Sequence, residues 1–373
     1  MTSITQVESR CVSVPLAVPT AFSNRVVRSR YYLLCRVHAD DGHVGIGFCY
    51  IGSAGGAFVA DITKDLFADK LVGQDPFRSA GLWEEMHQEA LLHGRAGTIM
   101  RVLSAIDIAL WDHNARAAGL PLHRYLGACY ADRVPAYASG GYYKDGKSDQ
   151  DLADEALGYV EQGFRALKIK VGRGSVQAEE ARIAAVRDAI GQDVLLMLDA
   201  NNAWRDVPTA LRYMHAYEPY EPYWIEEPFA PDDVDNHRRL ASMTSIPVAT
   251  GEIEAGHRRF VHLLDQEAAA IIQADAAVCG GITEYRRIAA SAAGRGVRMC
   301  PHWFHDLHVH LVAADPAGQF VEYFPDDKVL NFRDLIDRQL QQENGELLLP
   351  TAPGLGFDFD ESAVSRYATT PWT

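Results

Sequence analysis

The sequence predicts an α/β fold: a parallel barrel of strand–helix repeats joined to a smaller α+β unit. Three observations carry this. Short apolar runs end in charged or ionisable side chains at nearly even intervals. These are Lys170, Asp199, Glu226, Glu252, Asp275, His302 and Glu322, with gaps of 29, 27, 26, 23, 27 and 20 residues. A parallel barrel of about 250 residues gives each strand–helix unit roughly 25–30 of them. The runs are mostly apolar, as strands buried on both faces are, and helical stretches lie between them. The N-terminal third shows neither the repeat nor its spacing.

In chain order, residues 30–37 and 43–50 read as paired strands around the turn Asp40-Asp41-Gly42. Residues 56–71, 76–92 and 97–118 read as helices. In the last, Val102, Ile106, Ala109, Leu110 and His113 share a face, and Gly119-Leu-Pro121 stops it. Val134 to Ser139 is the first barrel strand. Helices follow at Asp151 to Gln162 (Leu152, Ala156, Leu157 and Val160 on one face) and Ala178 to Ile190 (Ile183, Val186 and Ile190). The remaining strands run 165–171, 194–199, 223–226, 247–252, 271–275, 297–302 and 319–322. The strand and turn at 345–359 should return to the N-terminal unit. The smaller unit is thus expected at 1–125 and 325–373, and the barrel at 126–324.

A chain of 373 residues, 48% hydrophobic, suits a barrel plus a smaller unit. The net charge of −15 argues against a nucleic-acid partner. It leaves small anionic substrates open, because a metal and local lysines reverse the sign within one cleft. Cysteines at 11, 35, 49, 129, 279 and 300 form no CxxC, as expected for reduced thiols in a cytoplasmic protein. Neither a secretory signal nor an apolar run of spanning length is evident, so no membrane is expected as partner.

Asp199, Glu226 and Glu252 end three consecutive strands. Carboxylates so placed repel unless a cation sits between them, and hard oxygen ligands suit Mg²⁺. The plain alternative is that each caps the following helix. Three in register at the mouth of a barrel weigh against it. Lys168 and Lys170 alternate with Ile169 and so point to one side of their strand. Two buried ammonium groups need acidic partners, and the apolar flanks disfavour an exposed edge strand. The second lysine and a metal are expected to lower the pKa of Lys170 and make it a base. Asp275 and His302 end neighbouring strands, where the carboxylate would fix the imidazole tautomer and raise its basicity. Glu322 is expected to stay protonated and donate a hydrogen bond. His305, His308 and His310 lack the HExxH or Cys/His spacing of zinc sites and read as helix and packing residues. A zinc barrel hydrolase would want His-x-His at the first strand, where Tyr137-Ala-Ser139 stands. A non-catalytic scaffold would be expected to lack one of the seven strand-end residues, and all are present.

The set Lys168-Ile-Lys170, Asp199-Ala-Asn201, Trp224-Ile-Glu226-Glu227-Pro228, Ala249-Thr-Gly-Glu252, Gln273-Ala-Asp275 and Pro301-His302 resembles the enolase superfamily, mandelate racemase subgroup. Ala105-Ile-Asp-Ile-Ala-Leu-Trp111-Asp, then Gly119-Leu-Pro121, resembles that family's domain junction. The resemblance covers nearly the whole chain. It implies a modified TIM barrel, (β/α)₇β, with an α+β capping domain formed from both termini. It implies Mg²⁺ on Asp199, Glu226 and Glu252, and Lys170 and a His302–Asp275 dyad on opposite faces of a small carboxylate substrate. Mg²⁺ and Lys168 near that carboxylate would stabilise the charge formed when the α-proton leaves. A base on each face allows racemisation, or dehydration if one of them protonates a leaving β-hydroxyl. Residues 301–314 and 320–324 are similar to acid-sugar dehydratases of the galactarate/talarate type, and also to mandelate racemase. Arg25, Tyr142, Lys144 and Asn201 are the candidate substrate contacts, with Arg25 and Lys144 at the distal end. Dehydration of an acid sugar is the expectation, with racemisation or epimerisation of a 2-hydroxy acid second. A homo-oligomer, dimer or octamer, is expected with either.

Overall fold

The computed structural model describes residues 2–21, 26–326 and 329–373. The chain opens with a three-stranded antiparallel sheet, β1 (Ile4–Ala21), β2 (Val26–Ala39) and β3 (Val44–Gly52), in that order. The β2–β3 turn falls at the expected Asp40–Gly42, with Gly42 at φ +84°. β1 is an addition to the sequence reading. Pro15 and Pro19 break its pattern, and its register against β2 shifts between Pro15 and Thr20. Proline is tolerated there because β1 is an edge strand.

The helix Thr98–Ala117 packs on this sheet at close range. A Cβ at Gly47 would fall on the Ala105 carbonyl oxygen, and one at Gly45 on that of Ala109. The two glycines therefore let the helix backbone lie directly on β3. The expected helix at 56–71 is real but irregular, with a π turn at Thr63–Ala68. The stretch 76–92 divides into a 3₁₀ turn, Pro76–Arg78, and the helix Ser79–Ala90.

Eight parallel strands form the barrel: β4 (Arg133–Ser139), β5 (Ala166–Lys170), β6 (Leu195–Asp199), β7 (Trp224–Glu226), β8 (Val248–Thr250), β9 (Ile271–Ile272), β10 (Arg298–Met299) and β11 (Val321–Tyr323). Each pairs with the next from β4 to β10, and β11 pairs with β4. A parallel bridge between Met299 and Gly318 and a hydrogen bond from Gln319 N to Met299 O (2.9 Å) close the remaining gap. A helix follows each of the first seven strands, giving the (β/α)₇β architecture. The lower barrel is filled by Tyr137, Ala166, Met197, Trp224, Ala249, Ile271 and Cys300. By strand alternation, Lys168, Lys170, Asp199 and Glu226 lie above that layer, toward the carboxyl ends of the strands.

The tail departs from expectation. β12 (Gln342–Glu343) and β13 (Glu346–Leu348) form a hairpin, and β13 pairs antiparallel with β4 of the barrel. Its turn is Asn344-Gly345, both with positive φ (53° and 79°), the two-residue geometry that Asn-Gly favours. The chain touches the N-terminal unit before the hairpin, where Asn331 Oδ1 accepts from Tyr32 Oη at 2.9 Å, and returns to it beyond. There Leu355 N donates to Asp112 Oδ1 (2.7 Å), and Thr369 and Thr373 join the edge of β1 at Cys11 and Ser9. Among the described residues no helix is long and apolar enough to cross a membrane.

Candidate active site

The helices after β6 and β7 are capped by Asp206 and Asp233, whose side chains accept from Thr209 N and Asn236 N. Asp199 and Glu226 are thus not needed as caps. They turn inward and meet Glu252, so that one carboxylate oxygen from each lies within 4.8 Å of the others. Asp199 and Glu226 are the last residues of their strands, and Glu252 lies two past β8. Trp224 Nε1 (3.2 Å) and Gln273 Nε2 (2.6 Å) both donate to Glu226 Oε2 and fix that carboxylate. Asn201 N donates to Asp199 Oδ1 (2.9 Å).

Two ammonium groups enter from β5. Lys170 Nζ donates to Asp199 Oδ2 at 2.5 Å. Lys168 Nζ sits 2.6 Å from Glu226, 2.8 Å from Glu322 and 3.6 Å from Asp199. On the other side, His302 Nδ1 lies 3.1 Å from Asp275 Oδ2, and its Nε2 lies 3.4 Å from Glu252 Oε2. Asp275 is itself held by Ala277 N (2.8 Å), with His308 at 3.5 Å. Lys170 and His302 therefore bracket the carboxylate cluster, one at its Asp199 end and one at its Glu252 end.

Charge and burial set the protonation states. Burial opposes ionisation of Asp199, but Lys170 and Lys168 hold its carboxyl below the usual range. Burial and the charge of Asp199 push Glu226 up to about 8 despite Lys168. Glu227, fully buried beside them, is pushed well above the carboxylate range by burial and by Glu252 and Asp199. Neither of its carboxylate oxygens has a hydrogen-bond partner among the described residues. The cluster is thus short of positive charge. Buried hard oxygen donors in deficit of charge fit a small divalent cation.

One expectation needs correction. Glu322 is not kept protonated. Burial favours the acid, but Lys168, His302 and Lys170 bring it down to about 2, and its Oε2 accepts from Trp303 N at 2.7 Å. The expectation for Lys170 includes a bound metal, and the metal-free site has the opposite direction. Burial favours the amine, but Asp199 outweighs it and raises the pKa. Lys168 pairs with Glu226 and Glu322 at the floor of the cluster. His302 agrees in direction: burial opposes its charge, but Glu252 and the Asp275 hydrogen bond raise it to about 9.

The cavity above the cluster holds about 120 Å³. Of the candidate substrate contacts, Asn201 lines it, and Tyr142 lies with its ring 5.2 Å from Lys170 Nζ. Lys144 does not line it and pairs with Asp326 at 3.5 Å. Arg25 lies outside the described residues. Arg30, Tyr50, Arg101, Asn202, Glu227, Ile253 and Trp303 are lining residues that the sequence reading missed. The first three stand on the N-terminal unit, which carries no repeat to mark them. Among the described residues, seven non-glycine positions have positive φ, and Asn201, Asn202, Glu227 and Trp303 are four of them. Their concentration at this cavity is the pattern of backbone strain held at a working site.

Residues 4–127 match the mandelate racemase / muconate lactonizing enzyme N-terminal domain, and residues 151–363 match the enolase C-terminal domain-like family. The chain is 34% identical over 357 residues to an L-talarate/galactarate dehydratase of Salmonella typhimurium, covering 94% of this chain and 87% of that one. It is 31% identical to a D-galactarolactone cycloisomerase of Agrobacterium fabrum, covering 98% of each. The solved L-talarate dehydratase from Polaromonas sp. JS666, complexed with Mg and L-glucarate, superposes with a TM-score of 0.91 at 32% identity, covering 100% of this chain and 99% of that one. With its fold, strand-end residues and full-length matches in agreement, the chain belongs to the mandelate racemase / muconate lactonizing enzyme family of the enolase superfamily.

Proposed function

We propose that this chain is a Mg²⁺-dependent hydro-lyase that dehydrates an acid sugar, an aldarate or aldonate, to a 2-keto-3-deoxy acid. The observation that carries the proposal is the bracketing of one carboxylate cluster by two proton-transfer groups, Lys170 and His302. Relatives described as talarate/galactarate, arabinonate and gluconate dehydratases support the reaction class. Asp199, Glu226 and Glu252 would hold the metal. When bound, Mg²⁺ supplies the charge that stabilises a substrate carboxylate as its α-proton leaves.

The remaining work falls to side chains. His302, held by Asp275 and charged near neutrality, is suited to give a proton to the leaving β-hydroxyl. Lys170, across the cavity, would take the α-proton once its own proton is no longer kept by Asp199. The Cα–H and Cβ–O bonds break, water departs, and the enol left behind tautomerises to the ketone. Glu322 and Lys168 neutralise each other beneath the site. The same bracket would serve racemisation or epimerisation of a 2-hydroxy acid, with the second group returning the proton to the opposite face. That is the second reading, favoured by the presence of a proton carrier at both ends.

A panel of aldarates and aldonates assayed for 2-keto acid formation tests the proposal. Keto product with at least one of them is expected, abolished by chelation and restored by Mg²⁺. A panel without keto product, beside rapid racemisation of a 2-hydroxy acid, would move the assignment to the second reading.

A further inference from the structure

Arg30 stands on β2 of the N-terminal unit, only 1% exposed, and lines the cavity together with Lys170, Asn201 and His302. Its placement is tightly determined. Nε donates to Val329 O at 3.0 Å. The guanidinium carbon lies 4.3 Å from the centre of the Trp303 ring and 5.5 Å from that of Tyr50, and these two rings stack on each other 5.9 Å apart. Stacking satisfies the face of a guanidinium and leaves its in-plane N–H groups to find acceptors. Among the described residues, Nη2 is buried without a hydrogen-bond partner and no carboxylate forms an ion pair with Arg30. Arginine does not shed its charge at any ordinary pH. A buried, permanently charged group with an open donor is costly unless an anion completes it.

The proximal carboxylate of an acid sugar would be engaged at the Asp199–Glu226–Glu252 cluster, so Arg30 has a different anion to meet. We propose that Arg30 binds a second carboxylate, at the far end of the substrate, and that the acid sugar is therefore a dicarboxylate. This rests on the acid-sugar reading above. It also replaces Lys144, whose charge is paired with Asp326, as the distal contact. Arg101 lines the same cavity, with Nη1 on the Tyr50 carbonyl at 2.7 Å, and adds a second positive charge to that end.

The test is equilibrium binding, measured by calorimetry on Mg²⁺-loaded Lys170→Ala protein so that no ligand is consumed. Matched pairs differ only in whether C6 is a carboxylate or a hydroxymethyl group: galactarate against galactonate, and glucarate against gluconate. In at least one pair the diacid should bind roughly 100-fold tighter, because the monoacid leaves a buried charge unpaired. Adding Arg30→Gln should shrink that preference to about threefold or less by removing the charge, and Arg30→Lys should keep an intermediate preference. Retention of monoacid binding shows that the variants are folded. Equal binding of diacid and monoacid in every pair overturns the proposal, as does a preference that survives Arg30→Gln. An Arg30-dependent diacid preference in a wild-type protein that yields no keto acid would leave this assignment standing and remove the dehydration instead.

Discussion

Lys168 is the residue on which the charge balance of the site turns. Its ammonium is the shared partner of Glu226 and Glu322, with Asp199 close by, and all four side chains are buried. Removing one member of such a cluster leaves the others uncompensated, at a cost of about 3–5 kcal/mol. Lys168→Met should therefore lower the urea-unfolding free energy of metal-free protein by about that amount. An unchanged midpoint would mean that the carboxylates are satisfied without it. Alternation with Ile169 was enough to place Lys168 and Lys170 inside the barrel. Their partners were not legible, because they arrive from strands 29 to 154 residues away (Asp199, Glu226 and Glu322 against Lys168 and Lys170). Arg30 was less legible still. Its environment is made by Tyr50, Trp303 and Val329, which come together only when the N-terminal sheet is seated on the barrel mouth.

At the scale of elements, spacing located each strand but not where its hydrogen bonding stops. Lys170, Asp199 and Glu226 end β5, β6 and β7, whereas Asp275 and His302 lie three residues beyond β9 and β10. β1 was hidden by its prolines, and the β12–β13 hairpin lay in an Asn-Gly signal whose partner strand no local pattern reveals. The helix Thr98–Ala117 was readable from its apolar face, and its motif 105–112 marks the junction between the units. The structure shows how. Asp107 accepts from Thr283 N (2.9 Å) and Thr283 Oγ1 (2.6 Å) on the barrel helix Gly281–Ala293, and Trp111 Nε1 donates to the same hydroxyl at 2.9 Å.

Burial pushes the Asp107 carboxyl up to about 7, against the two donations from Thr283. The folded state then holds a proton that the unfolded state, with the ordinary value of 3.8, releases earlier. The contribution of Asp107 to stability is full below pH ~4 and is lost as pH rises through about 7. Asp107→Asn removes this dependence. The melting-temperature advantage of wild type over the variant should be larger at pH 5 than at pH 8. An advantage that stays constant, or grows with pH, would place the titration elsewhere.

Across the whole molecule, the negative charge of −15 and the (β/α)₇β frame set the problem that the site resolves locally. Strands β6, β7 and β8 bring three carboxylates together, β5 delivers cations, and His302 with Asp275 approaches from the far end. The N-terminal unit lays Arg30 over the opening. The central claim is that Lys170 and His302 move protons at the two ends of this cluster. It is tested most directly by following an acid-sugar substrate in D₂O by ¹H NMR with Mg²⁺-loaded protein. The account predicts loss of the α-proton, with deuterium at C3 of the keto product. Lys170→Ala should slow that loss by roughly 10²–10⁴, and His302→Asn should slow formation of the keto product by a similar factor. An α-proton lost at the wild-type rate in Lys170→Ala, or keto acid formed at the wild-type rate in His302→Asn, would contradict it.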